Sequence, residues 1–275
     1  MDRRKPWSAR LPLELFVLAL TAVQFFPLYI VIVNIFKRKS AFNSIIGWPE
    51  QVTFENLHHV LFNTNFLTAF GNSVLVAAVS LLILLLIGSI AAYPLARVRT
   101  RLSAATLFYF MLGLMLPLQF SMIPLFQLVK SLHLMNTYAA LIGVEVAYNL
   151  PITIVVFSSF IRSIPEELES AASIDGCTAF GTFWRIIFPL LKPAIVVVVI
   201  SNLLVIWNDF LSPLLLVSDK GKQTLPVMVL SFQGQYGADI TSMFTSVMLA
   251  SLPLVLLFLF LQKFFYKGIT EGAIK

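Results

Sequence analysis

Apolar positions in this chain gather into six windows, each near the ~20 residues needed to cross a bilayer. They run roughly over Leu13–Phe36, Ser73–Leu95, Ala104–Phe126, Tyr138–Ile161, Ala194–Val217 and Met243–Phe265. The connection from Ile161 to Pro193 carries its own helix punctuation. Ser163 and Glu166 have capping-box spacing, with Pro165 in the first turn. Leu168, Ala171 and Ala172 repeat at i, i+3 and i+4, which gives a short helix one small apolar face. Asp175-Gly176 reads as a turn, with glycine where a helix end requires positive φ. Phe180, Phe183, Trp184 and Ile187 form a second amphipathic run, which Pro189 is expected to end. Two short helices meeting at a glycine corner make a compact knob suited to a partner's groove.

Composition turns the windows into a membrane protein. The 275 residues are 59% hydrophobic and 12% charged, with a mean hydropathy of +0.90. A soluble domain of this size cannot hide so much apolar side chain. The formal charge of +6 does not point to nucleic acid, because the charges sit at the ends of apolar windows instead of on one face. With the N-terminus inside, thirteen of the 19 Lys and Arg fall on inner segments. Lys37, Arg38, Lys39, Lys130, Lys220 and Lys222 fall outside, so the bias puts both termini in the cytoplasm. The basic N-terminus and following apolar run show no small-residue cleavage site and read as a retained first helix. The expected organisation is a cytoplasmic N-terminus over residues 1–12 and one membrane domain over residues 13–275, with residues 161–193 as its inner loop. Cys177 is the single cysteine, which excludes an internal disulfide. His58, His59 and His133 lie outside without cysteine or acidic partners and do not read as a metal site.

Polar residues inside the windows are the candidates for chemistry. The third window holds Pro117, Gln119 and Pro124, and two prolines break or kink a span. Gln119 is therefore a pathway candidate, with helix–helix hydrogen bonding as the alternative. Glu145 and Asp209 are the deepest acidic residues, and ionisable groups at that depth tend to face a cavity or a partner. No phosphate-binding G-x-x-x-x-G-K-[S/T] occurs, so energy from ATP must come through another subunit. No nucleophile–base pair or metal cluster argues for an enzyme.

Glu169-Ser170-Ala171-Ala172-Ser173-Ile174-Asp175-Gly176, with Phe188-Pro189-Leu190 downstream, resembles the EAA loop of ABC importer permeases. Ser170 stands where that family usually has the Glu of its motif. Ile206-Trp207-Asn208-Asp209-Phe210-Leu211-Ser212-Pro213 resembles the fifth-helix pattern of its sugar permeases, and Tyr266–Ala273 the C-terminal signature. Gln223-Thr224-Leu225-Pro226 and Gly234–Asp239 resemble the outer loop that meets the solute-binding protein.

The resemblance implies an all-α polytopic fold of the type I importer permease kind, with six transmembrane helices and a cytoplasmic coupling helix. It implies a sugar or oligosaccharide permease working by alternating access in a bacterial cell membrane. Glu169, Ser170, Ala171, Ala172, Asp175 and Gly176 would couple to the ATPase. Gln119, Trp207, Asn208 and Asp209 would line the substrate path; a Trp face stacks on sugar C–H bonds and the polar groups take hydroxyls. The structural alternative for Asn208 and Asp209 is that they hold the break before Pro213 together. Implied partners are a homologous permease, two ATP-binding subunits, a solute-binding protein, the sugar and membrane lipid. ATP and Mg belong to the partner ATPase, and this chain carries no cofactor. A proton-coupled transporter using Glu145 or Asp209, and a permease for a non-sugar solute, are the alternatives.

Overall fold

The computed structural model describes residues 7–39, 44–234 and 237–272, with side chains for residues 12–39, 44–233 and 239–260. The chain divides into two compact units, Met1–Leu67 with Met228–Leu252, and Thr68–Val227 with Pro253–Lys275. Four uninterrupted helices are long and apolar enough to cross a membrane: Pro12–Ile35, Phe66–Arg97, Tyr138–Ser163 and Ile240–Phe260. Two bent helix pairs bring the number to as many as six among the described residues.

The first unit contains α1 (Trp7–Ile35), α2 (Glu55–Phe62), a two-residue hairpin pairing Gln233–Gly234 with Gly237–Ala238, and the start of α13 (Ile240–Gly272). Polar side chains fasten the turn after α1. Asn56 Nδ2 donates to Ile35 O and Lys37 O, both at 2.7 Å. Lys37 is buried, and Nζ donates to Ser44 O at 2.6 Å and Asn34 Oδ1 at 3.1 Å. Burial pushes the Lys37 ammonium below the usual lysine range. Arg38 pairs with Glu55 at 3.3 Å and Lys39 with Asp239 at 2.5 Å. Lys37, Arg38 and Lys39 thus each have a partner within the first unit. Asp239 also caps α13, with Oδ1 accepting from Ser242 N at 3.1 Å.

The second unit holds α3 (Phe66–Arg97), α4 (Arg101–Gly113), α5 (Leu118–Ser131), α6 (Tyr138–Ser163), α7 (Glu167–Ile174), α8 (Ala179–Thr182), α9 (Phe188–Leu190), α10 (Lys192–Asn208), α11 (Leu211–Leu216) and α12 (Leu225–Val229), α3 beginning just before it and α12 ending just after. The third window breaks as its prolines require. Pro117 takes the cap position of α5, and α4 and α5 bend by 98°. The fifth window also breaks, because α10 ends at Asn208 and Asp209 is extended at ψ 120°.

A polar stripe runs along α6. Glu145, Asn149 and Thr153, at i, i+4 and i+8, are all buried. Asn149 Nδ2 donates to Glu145 O at 2.8 Å, and Thr153 Oγ1 to Asn149 O at 2.8 Å. A Cβ at Gly88 of α3 would collide with Thr153 Cγ2, so glycine allows α3 and α6 to approach here. Below the stripe an apolar core of Ala92, Leu107, Phe157, Ile161 and Val198 also takes in Phe183 and Ile187 from the inner loop. The loop is thereby rooted among the long helices.

Candidate functional site

Much of the knob forms as the sequence predicts. Helix α7 covers Glu167–Ile174 and ends in a full Schellman motif. Gly176 N donates to Ser173 O at 3.1 Å and Cys177 N to Ala172 O at 2.9 Å, with Gly176 at φ +80°. Its Cβ would meet open space, so the requirement for glycine is conformational alone. Thr178 then caps α8, accepting from Gly181 N at 3.2 Å.

The start of α7 is built differently from the capping box. Ser163 still belongs to α6, and its Oγ donates to Phe160 O at 2.7 Å. Glu166 is the cap residue but makes no side-chain cap, and its carboxylate accepts from the Arg99 guanidinium at 2.7 Å. The one-faced apolar stripe is also split. Ala172 is buried, whereas Leu168 is 43% exposed and Ala171 is exposed. The second run ends at Leu190, one residue past Pro189, where a 71° bend leads into α10. Pro189 lacks the N–H that would bond back one turn, and the helix adjusts through a π turn over Phe183–Ile187, with Phe188 N donating to Phe183 O. Trp184 packs between Phe183 and Phe188, edge-on to the first at a centroid distance of 5.0 Å and tilted to the second at 4.9 Å.

The six candidate coupling residues therefore separate by direction. Ser170, Ala171, Asp175 and Gly176 are exposed, and beside them Ile174 is 86% and Phe180 70% exposed. Ala172 and Glu169 face the protein. Glu169 accepts from Tyr93 Oη at 2.8 Å and Arg97 Nε at 2.6 Å, and Arg97 Nη2 donates to Ile164 O at 2.8 Å. Arg97 is thus a structural partner of the loop. The signal for it was the basic turn Arg97–Arg101 and the acidic run Glu166–Glu169 falling on the same side of the membrane. A largely apolar cleft of about 460 Å³ opens between Tyr93, Pro94 and Arg97 of α3 and Ala179 and Phe180 of α8.

Candidate pathway residues lie at the two breaks. Gln119 is exposed in the first turn of α5. Trp207 is only 7% exposed, packed edge-on to Phe70 at 5.9 Å, so its ring faces are not open for stacking. Asn208 is exposed, with Nδ2 donating to Leu204 O at 2.8 Å. Asp209 Oδ1 accepts from Leu211 N at 3.1 Å and Ser212 N at 3.3 Å, capping α11 across the break. Its other oxygen is buried without a donor among the described residues, and its carboxyl meets that of Glu145.

At the end of α6 away from the knob, Asn72 and Asn136 bracket the loop after α11. Asn72 Nδ2 donates to Gly221 O at 3.0 Å and Gln223 O at 2.9 Å, while Asn72 Oδ1 accepts from Tyr138 Oη at 2.8 Å. Asn136 at φ 58° accepts from Ser218 N at 2.6 Å. The bracketing role of neither asparagine was legible in the sequence, because each acts on residues more than sixty positions away.

Comparison with known proteins places these features in a family. Residues 84–271 match the binding-protein-dependent transport system inner membrane component family. The melibiose/raffinose/stachyose import permease protein of Bacillus subtilis is 35% identical over 252 residues, 91% of each chain. The multiple sugar-binding transport system permease protein of Streptococcus mutans is 32% identical over 254 residues, 90% of this chain and 91% of the other. A chain of a bacterial ABC transporter involved in alginate import superposes with a TM-score of 0.80 at 18% identity, covering 96% of this chain and all of that one. The four long apolar helices, the two bent pairs and this match over most of the chain lead to one assignment: the protein is a multi-pass membrane protein that belongs to the binding-protein-dependent transport system inner membrane components.

Proposed function

We infer that the chain is a permease subunit of an ATP-driven importer of sugars or oligosaccharides. The observation that carries this reading is the Gly176 corner. An exposed, eight-residue helix closed by a glycine at φ +80° stands on a base of Phe183 and Ile187 buried among the spans. Such a knob passes a push from outside the membrane into the helices. The sugar class is supported by relatives named for melibiose, raffinose, stachyose and starch degradation products.

In this reading Ser170, Ala171, Asp175 and Gly176 face an ATP-binding subunit, which uses ATP and Mg, while this chain contributes none of that chemistry. Both termini lie in the cytoplasm. A homologous permease covers Gln119, Asn208 and the broken spans, since exposed polar side chains and irregular backbone are tolerated in a bilayer only against protein or a water-filled path. A solute-binding protein delivers the sugar to the outer face. Asn72 and Asn136 hold the outer loop Ser218–Gln223 in place for that encounter. Closing of the ATPase moves the knob, and the helices alternate between outward and inward access.

The test is gentle co-purification of the tagged chain from its native membrane, followed by identification of what accompanies it. An ATPase, a second permease and a sugar-binding protein are expected. A homodimer alone would overturn the reading in favour of a secondary transporter.

A further inference from the structure

Glu169 lies in the helix that would meet the ATPase, yet both of its oxygens are used inside the protein. Oε2 accepts from Tyr93 and Oε1 from Arg97, both at the cytoplasmic end of α3. The Arg97 and Glu169 side chains are only 12% and 17% exposed. Arg97 holds the loop at two points, Glu169 through Nε and Ile164 O through Nη2. A planar guanidinium fixes both at once, and an ammonium does not.

The local chain needs this fastening. Helix α7 is eight residues long, too short to be stable by itself, and its cap residue Glu166 turns its side chain to Arg99 instead of capping the helix. Ala172 is its only buried residue. Ile164 is extended at ψ 129°, so the covalent link from α6 is not a continuous helix. Arg99 and Glu166 join the same turn to the same loop but are 83% and 59% exposed, which makes that pair weak.

We propose that Glu169, Arg97 and Tyr93 form a latch that makes α7 and the cytoplasmic end of α3 one rigid body, so that displacement of the coupling helix moves α3 directly. Glu169 is then a positioning residue, held away from the ATPase contact. The inference rests on the coupling reading above. It adds which transmembrane helix takes the stroke first and through which side chains.

The test uses the co-purified complex in a Cys177→Ser background, with spin labels at Val98→Cys on the α3 end and Ser173→Cys on α7, both exposed positions. Interspin distance is measured without nucleotide and after trapping with ATP and vanadate. A narrow distance, the same in both states, is expected. Glu169→Gln and Arg97→Lys are expected to broaden it and make it shift on trapping. Tyr93→Phe, which removes one bond without unbalancing charge, keeps the question answerable if those variants do not accumulate, and is expected to broaden it less. Glu166→Gln is the control and should match the parent. A distance that changes on trapping in the parent, or stays narrow and fixed in all three latch variants, overturns the latch. Loss of the ATPase from Glu169→Gln alone, with Arg97→Lys normal, would make Glu169 a contact residue and overturn it too. A parent complex that never retains an ATPase would defeat the coupling reading itself, which is a separate result.

Discussion

Asn202 of α10 donates to Thr153 of α6 at 2.8 Å, and both side chains are buried. Thr153 in turn donates to Asn149 O, so its hydroxyl is used as donor and as acceptor. Replacing Asn202 with Leu removes the cross-helix bond, and Thr153→Val removes it from the other side. Each is expected to cost about 0.5–2 kcal/mol, the usual worth of an interhelical hydrogen bond in a membrane. The double variant should cost less than the sum of the two. Unfolding of the detergent-solubilised protein reads all three; additive costs would mean that the two side chains do not act on each other.

At the break in the fifth span, a buried oxygen of Asp209 lacks a donor among the described residues and lies by the Glu145 carboxyl. Glu145→Gln places an amide donor at that oxygen and is expected to match or exceed the parent in thermal stability. Glu145→Leu takes away the polar group beside the Asp209 carboxyl, leaving only the Leu211 and Ser212 amides on Oδ1, and should cost about 1–3 kcal/mol. Equal stability of the two variants would show that Asp209 does not depend on position 145.

Replacement of Gly176 by Val forces a β-branched residue to φ +80°. Since nothing crowds the site, the cost is backbone strain of about 1–3 kcal/mol, confined to the corner. Membrane abundance should stay normal while uptake in whole cells falls. Normal uptake at normal abundance would count against the role given to the knob.

What the sequence made legible follows from range. Four of the six apolar windows, the break at Pro117 and the glycine corner at Gly176 are local patterns that appear in the structure as unbroken helices, a bend and a positive φ. The capping box misled because Ser163 is still inside α6, where its hydroxyl turns back to Phe160 O. Pro189 marked the end of the second run to within one residue, but not the π turn over Phe183–Ile187 that precedes it. Trp207 offered an aromatic face by composition, but Phe70, far away in sequence, packs beside it. Glu145 was legible as a deep acidic residue, but its continuation through Asn149 and Thr153 to Asn202 needed the fold. The Glu169–Arg97 pair spans 72 residues, and charge complementarity across two inner loops was its one trace in the sequence.

Acid sensitivity of the first unit should trace to Asp239. Burial raises its pKa, but hydrogen bonds from Lys39 and Ser242 outweigh burial and hold the carboxyl below the usual aspartate value. A carboxyl depressed in the folded state contributes stability that is complete above its unfolded pKa of about 4 and is lost as pH falls through the lower folded value. Thermal midpoints of the parent and Asp239→Asn are expected to differ at pH 6 and converge as pH falls below about 4. A difference that stays constant with pH would remove Asp239 as the cause.

The exposed face of the coupling helix carries the central claim. Ser170 is exposed on α7, with its Oγ donating to Glu166 O at 3.2 Å. The direct measurement is site-specific cross-linking in native membranes from Ser170→Cys in a Cys177→Ser background, with the adduct identified by mass spectrometry. A cross-link to a nucleotide-binding subunit is expected, with a yield that changes on trapping with ATP and vanadate. Efficient labelling of the cysteine with no such adduct, while the complex remains assembled, would contradict the account.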